Sequence, residues 1–318
     1  MYVNILLWLV MAAVCVLFGW LARRAWQAKN AIVKWVGVVL SGLLTLALAV
    51  VSVVTLLGLV KIYAAKNFPI PDVKVAGTPE QIQRGEHLAN AFCVECHSTN
   101  RQLPLSGGRD MGKDIPIPLG SFVPPNLTPG GELKDWSDGE IMRVLRSGVD
   151  EKGHHLFFMS LVNVRYMSDD DLAAVIAFLR SQPAVENETQ DPPDKLTILA
   201  AIMGGAGMLP AGLPPVAGSI TAPAKAPTAE YGKYLIGFQD CRGCHGEDLT
   251  GGTPGQLAPV GPSLRVVKGW TAEQFITTLR TGVDPSGHQL KDVMPWQTIS
   301  RLDDVELAAM HAYLASLP

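Results

Sequence analysis

The sequence predicts an all-α protein: a two-helix transmembrane hairpin at the N-terminus, then two tandem copies of one small helical domain. Three observations carry this. Two long apolar runs open the chain, a C-x-x-C-H pentapeptide occurs twice, and long stretches around the two pentapeptides repeat each other.

The hairpin comes first. From Met1 to Ala22 there is no charged residue, and Trp35–Val60 is a further run of 26 without one. At about 1.5 Å of rise per residue, roughly 20 apolar residues cross a hydrocarbon core, so each run is long enough to span. Arg23, Arg24, Lys29 and Lys34 lie between the runs, and no acid precedes Asp72. Positive charge in a short loop keeps that loop in the cytoplasm, which places the N-terminus and everything after Lys61 outside. A cleaved signal peptide is the alternative for the first run, but its positive charge follows the apolar segment instead of preceding it. Met11-Ala12-Ala13-Val14 is a poor lipobox, so Cys15 reads as a small apolar residue facing lipid or the partner helix. No histidine occurs before His87, and neither span holds a carboxylate or lysine. That excludes a bis-histidine b haem and a proton relay within the spans. They read as an anchor and a docking surface for other subunits.

Charge separates the anchor from the rest. Of all residues 48% are apolar and 17% charged, against about 25% charged in ordinary soluble domains. The formal charge of −3 conceals +5 over residues 1–61 and −8 over the remainder. This excludes a disordered acidic tail and a general nucleic-acid binder.

Four of the five cysteines form the pentapeptides Cys93-Val94-Glu95-Cys96-His97 and Cys241-Arg242-Gly243-Cys244-His245. C-x-x-C followed at once by histidine is the signature of c-type haem attachment. Two thiols on one turn add to the two vinyl groups of a haem, and the adjacent histidine is aimed at the iron. One copy alone could be chance, a zinc half-site or a redox dithiol. Two copies in a chain otherwise nearly free of cysteine point to two covalent haems.

The repeat extends well beyond them. Residues 146–156 match 280–290, and Met159 and Met294 each stand 13 residues before the leucine (Leu172, Leu307) of an acidic helix start. Ser168 with Asp169–Asp171, and Asp303 with Asp304 and Glu306, cap those helices and complement their dipoles. Thr78 followed by Pro79 opens the helix before the first pentapeptide, and Thr228 caps its counterpart. Gly85 and Gly232 fit a close crossing of the first and last helices. Each unit thus reads as helix, C-x-x-C-H, Gly/Pro-rich loop, Trp-led helix (Trp136, Trp270), methionine loop and terminal helix.

This arrangement resembles the class I cytochrome c fold, over about residues 78–184 and 227–318. Within that class the chain is similar to cytochrome c subunits of bacterial alcohol and gluconate dehydrogenases and of haem-copper oxidases. The words carrying that likeness include Pro125-Asn126-Leu127-Thr128-Pro129, Trp136-Ser137-Asp138 and Tyr231-Gly232-Lys233-Tyr234-Leu235. Such dehydrogenase subunits usually carry three motifs and a signal peptide, whereas this chain has two motifs and two apolar spans. The expected organisation is a hairpin anchor over 1–67, cytochrome c domains over 68–184 and 227–318, and a Pro/Gly-rich apolar linker over 185–226.

The resemblance implies one haem held by Cys93, Cys96 and His97 and a second by Cys241, Cys244 and His245. It implies Met159 and Met294 as the second axial ligands of the two irons. A thioether is a soft neutral ligand that favours Fe(II). Met159 lacks the proline that follows Met294, so Met111, Met167, His154 and His155 stay open as rivals, although His154 aligns with His288 at a loop position. Trp136 and Trp270 either meet haem propionates or fill the pocket wall. His87 and His311 read as surface or packing residues, and Met167 and Tyr166 as core. The charge-free stretch Leu196–Ala224 is a further candidate span. Pro210, Pro214 and Pro215 interrupt it, and a single extra crossing would put the two haems on opposite sides. It reads instead as an extended linker with a short apolar helix on a protein or membrane surface.

The function expected is a membrane-bound dihaem electron carrier, making and breaking no substrate bond. It would lie in a bacterial inner membrane with its haem domains periplasmic, beside other membrane-complex subunits and a soluble or membrane redox partner. Its acidic domains would favour basic partner faces. The alternative is a dihaem cytochrome c peroxidase, which needs one iron with an open or displaceable site. A haem-based sensor would need a cytoplasmic signalling domain.

Overall fold

In the computed structural model, which describes residues 1–318 apart from 210, 211, 213–215, 217 and 257, helices dominate. Helices α1 (Tyr2–Trp26) and α2 (Ala31–Tyr63) pack as an antiparallel pair. Both are long and apolar enough to cross a membrane. Asn30 caps α2 by accepting from the backbone N–H groups of Ile32 and Val33. Apart from Asn4, side chains of α1 stay exposed or half-buried, as suits a lipid-facing helix.

The first repeat contains α3 (Pro79–Phe92), α4 (Val94–His97), α5 (Asp138–Ser147) and α6 (Asp169–Ser181). A two-stranded antiparallel sheet joins β1 (Gly120–Phe122) to β2 (Asp194–Leu196), with Ser121 opposite Lys195. Helix α7 (Ile198–Gly205) follows at once. The second repeat contains α8 (Ala229–Phe238), α9 (Cys241–His245), α10 (Ala272–Thr281), α11 (Trp296–Ile299) and α12 (Asp304–Ser316).

The caps read from the sequence at Thr78, Ser168, Thr228 and Asp303 are realised, and the structure adds Ser137 and Thr271. Thr78, Ser137, Thr271 and Asp303 form reciprocal capping boxes with Gln81, Glu140, Gln274 and Glu306, each satisfying N–H groups that a helix start leaves free. Ser168 and Thr228 cap α6 and α8. Within each repeat the first and last helices cross without a side chain between them. A methyl group on Gly85 would lie 1.9 Å from the Ala174 carbonyl oxygen, and one on Gly232 1.8 Å from that of Ala309. The loop repeated over 146–156 and 280–290 folds identically in outline. Gly148 and Gly282 end α5 and α10 at φ 64° and 73°, where a left-handed residue closes a helix.

The stretch between the repeats is less extended than its composition suggests. It supplies β2, and α7 lies against α2 so closely that a methyl group on Gly58 would meet the Ala201 carbonyl oxygen at 1.7 Å. Pro210, Pro214 and Pro215 lie outside the described residues. The short apolar helix therefore rests on protein. Asn4 donates to the Leu196 carbonyl at 2.8 Å and to the Tyr63 hydroxyl at 2.9 Å, and the Lys66 N–H donates to the Gly153 carbonyl at 2.7 Å. The hairpin end opposite the basic turn is thus bonded to the first repeat. One apolar core runs continuously through both repeats. A smaller cluster of Leu119, Phe122, Ala200, Phe157 and Phe158 packs α7 against the first repeat.

Candidate haem sites

Each pentapeptide forms a short helix directly after a longer one. In the first, α4 carries Cys96 and His97, with Cys93 at its N-terminal edge. The Gly107 N–H bonds back to the His97 carbonyl at 3.1 Å, and the Gly108 N–H to the Pro124 carbonyl at 3.0 Å. In the second, Gly251 bonds to the His245 carbonyl at 2.8 Å, and Gly252 to Gly261 at 3.0 Å. The same wrap of chain therefore holds both motifs.

That wrap orients the histidines. His97 Nδ1 donates to the Pro125 carbonyl at 3.1 Å, and His245 Nδ1 to the Pro262 carbonyl at 2.6 Å. A ring whose Nδ1 carries the proton offers Nε2 as its ligand atom, and the carbonyl bond fixes the ring plane. Burial lowers the His97 pKa, outweighing the Pro125 bond, and so favours the neutral, ligating form. Neither Pro125 nor Pro262 stood out as a functional residue in the sequence. The signal was the shared word Pro-x-Leu, present as Pro125-Asn126-Leu127 and Pro262-Ser263-Leu264.

A cavity of about 270 Å³ opens beside His97, and Met159 lines it together with Trp136, Leu127, Leu145 and Leu179. His97 and Met159 come from segments 62 residues apart, and the fold brings both to one apolar chamber. Of the rival ligands, Met167 is fully buried in the core and neither Met111 nor His155 lines the cavity. His154 does line it, at a rim with Asp150, Glu151 and Lys152. Its backbone N–H is tied to Asp150 at 2.7 Å, as that of His288 is to Asp284 at 2.9 Å, so both are loop positions of one turn. Arg165, fully buried, donates to the Ser160 carbonyl at 2.7 Å and so braces the loop that presents Met159.

In the second repeat, Cys241, Trp270, Met294 and Trp296 lie half-buried against the core. The Trp296 indole N–H, two residues past Met294, is buried without a hydrogen-bond partner among the described residues. A buried donor without an acceptor is costly, and a haem carboxylate is an acceptor of the kind it lacks. The His311 ring nitrogen Nε2 lies 2.9 Å from the Trp270 carbonyl; facing a carbonyl, that nitrogen is the donor. His87 is neither plain surface nor packing, for it meets Glu306 of the other repeat at 2.6 Å. Tyr166, expected in the core, is 39% exposed because it ends a short 3-10 turn.

The donor chemistry fits haem better than the other uses of C-x-x-C. None of the five cysteines is paired. Burial pushes the Cys93 and Cys241 thiols up to about 12 and Cys96 to about 11, opposite to the lowered values of reactive redox dithiols. A zinc site needs four ligands, and the one metal-holding cluster among the described residues is His87, Asp303 and Glu306, which contains no cysteine. The Lys225 ammonium contacts both Asp303 and Glu306 and already supplies the cation there.

Comparison with known proteins agrees. The chain is 29% identical over 152 residues to the cytochrome c subunit of a quinone alcohol dehydrogenase of Gluconobacter oxydans, covering 43% of this chain and 31% of that one. It is 33% identical over 117 residues to a diheme cytochrome c-type protein of Cereibacter sphaeroides, covering 34% of this chain and 37% of that protein. It is 31% identical over 111 residues to a nicotinate dehydrogenase subunit of Pseudomonas putida, covering 34% of this chain and 9% of that protein. The chain thus spans well under half the length of these relatives. Fold and sites together define a dihaem c-type cytochrome, with two covalently bound haems c and an electron-transfer role. The cytochrome c family model matches residues 82–183 and 229–318, and the chain belongs to that family.

Proposed function

We propose that this chain is a membrane-anchored electron-transfer subunit that relays electrons between a dehydrogenase-type complex and a respiratory or photosynthetic acceptor. The observation that carries the reading is the pairing of His97 and Met159 at one apolar cavity. Bound there, a haem supplies a metal that stores and releases one electron.

The residues do the rest. Cys93 and Cys96 would hold the group of the first domain and His97 and Met159 would ligate it, while the Pro125 carbonyl keeps the His97 ring in place. Cys241, Cys244, His245 and Met294 would take the same roles in the second, with Pro262 behind His245. Leu127, Leu145 and Leu179 exclude water from the first chamber, which favours the reduced, less charged state. With His97 and Met159 available to the first group and His245 and Met294 to the second, neither metal would keep an open position for peroxide, which favours an electron carrier over a peroxidase. The basic turn at Lys29 and the haem domains stand at opposite ends of the hairpin, which supports domains on the periplasmic side of an inner membrane. Acidic rim groups Glu132, Glu151 and Asp191 at the first cavity suit a basic partner face.

The test is purification in mild detergent with a pyridine haemochrome assay. Two c haems per chain, and a co-purifying dehydrogenase or oxidase subunit, are the expected result. One haem or none, or rapid peroxide turnover by the isolated chain, would overturn the proposal.

A further inference from the structure

The two repeats meet through a contact that is itself close to twofold symmetric. Between their later parts, equivalent positions stand 135 residues apart: Met159 and Met294, Asn163 and Thr298, Asp171 and Glu306. Between their first helices the offset is 147, as Gly85 and Gly232 show, which makes Arg84 equivalent to Tyr231 and His87 to Tyr234.

The bonds follow this symmetry. His87 of the first domain meets Glu306 of the second at 2.6 Å, and its equivalent Tyr234 donates to Asp171 of the first at 2.5 Å. Arg84 joins both carboxylates, at 2.8 Å each. Four residues after each methionine the pattern recurs. Asn163 donates to Asp240, the residue before Cys241, through its backbone at 3.0 Å and its side chain at 2.7 Å. Thr298 donates to Glu95, between Cys93 and Cys96, at 3.4 Å. Arg301 adds two bonds to Asn90 at 2.9 and 2.7 Å. Each methionine loop thus lies against the other domain's attachment motif. At the centre, Phe92, next to Cys93, meets Phe238, three residues before Cys241, edge to face with centroids 5.1 Å apart.

We infer that the two domains form one fixed unit in which the attachment segments face each other, and that the Phe92–Phe238 contact is the path by which electrons cross between domains. This rests on haem attachment at both motifs. The step balances simply: one domain loses an electron as its iron goes from Fe(II) to Fe(III), the other gains it, and no proton or bond is involved. Glu306 is fully buried, and a buried carboxylate whose main partners, Arg84 and His87, belong to the other domain holds the two bodies in one geometry. The aromatic pair leaves no water layer between the segments. Phe92 and Phe238 are positioning residues, since neither touches iron.

The experiment uses the full chain in detergent with both haems attached. One haem is photoreduced, and equilibration with the other is followed across a range of protein concentrations. A single phase independent of concentration is expected, with one narrow interspin separation by pulsed EPR of the oxidised protein. Phe92→Ala should slow that phase by about tenfold, because truncation opens a gap where the rings touch, with midpoint potentials unchanged and Phe92→Tyr restoring the rate. Should Phe92→Ala lower haem content, Phe238→Ala, further from its attachment cysteine, carries the same test. Exchange that scales with concentration, a broad interspin distribution, or rates indifferent to both truncations would overturn the inference. Fewer than two haems in the unaltered chain would instead overturn the site assignment.

Discussion

Met159 and Met294 occupy equivalent places but not equivalent surroundings. Met294 is followed by Pro295, whose ring starts α11, and its loop is closed by a bond from the Trp296 backbone N–H to the Met294 carbonyl at 2.8 Å. Met159 has no such proline and relies on buried Arg165, which bonds the Ser160 carbonyl. Replacing either methionine with alanine should remove half of the near-infrared band of thioether-ligated ferric haem, leaving the other half. A Met159→Ala protein with the full band would assign the first ligand to another residue, with His154 on the cavity rim the one to replace next. Arg165→Leu should weaken the first haem's share of the band more than the second's, because among the described residues an arginine braces the first methionine loop and Ser300 stands at the equivalent position of the second.

At the scale of elements, helix crossings govern stability. An alanine at Gly85 places its methyl 1.9 Å from the Ala174 carbonyl oxygen, so α3 and α6 must separate. Such overpacking costs about 1–3 kcal/mol, and Gly85→Ala should lower the unfolding midpoint in denaturant accordingly. By contrast, Thr78→Ala, which removes only the cap of α3, should cost about 1 kcal/mol. Both glycines and the caps at Thr78, Ser168, Thr228 and Asp303 were legible in the sequence because they act locally, within a repeat whose two copies support each other's reading. What stayed hidden acts between repeats. Arg84 pairs with Tyr231 by position, and His87 with Tyr234, yet these pairs share no chemistry, so the alignment of the copies gives no sign of them. The strands β1 and β2 escaped for a different reason. Three residues are too few for an alternating pattern, and their pairing joins segments more than 70 residues apart. Tyr166 shows the converse error, an apolar ring beside buried Met167 that ends on the surface.

For the whole molecule, the interface between domains concentrates buried charge, and that makes its stability depend on pH in a defined direction. The groups facing Glu306 are Arg84 and His87 from α3, Tyr231 from α8, Lys225 before that helix and Asp303 at the start of α12. Burial opposes ionisation of Glu306, but hydrogen bonds from His87 and Arg84 outweigh it and hold the carboxyl down at about 2, from an ordinary value of 4.5. A carboxyl depressed in the folded state binds a proton less readily than in the unfolded chain. Its contribution is therefore complete above pH 4.5 and is lost as pH falls from there towards 2. Denaturant unfolding of the detergent-solubilised chain, measured from pH 7 to pH 3, should show stability declining below about pH 4.5. Glu306→Gln keeps the shape but not the charge, so it should be less stable at pH 7 and lose less on acidification. Other carboxylates titrate in the same window, and the difference between the two curves isolates Glu306. If the curves run parallel, the ion pairs across the interface do not hold the domains together, and the apolar contact of Phe92 with Phe238 carries that role alone.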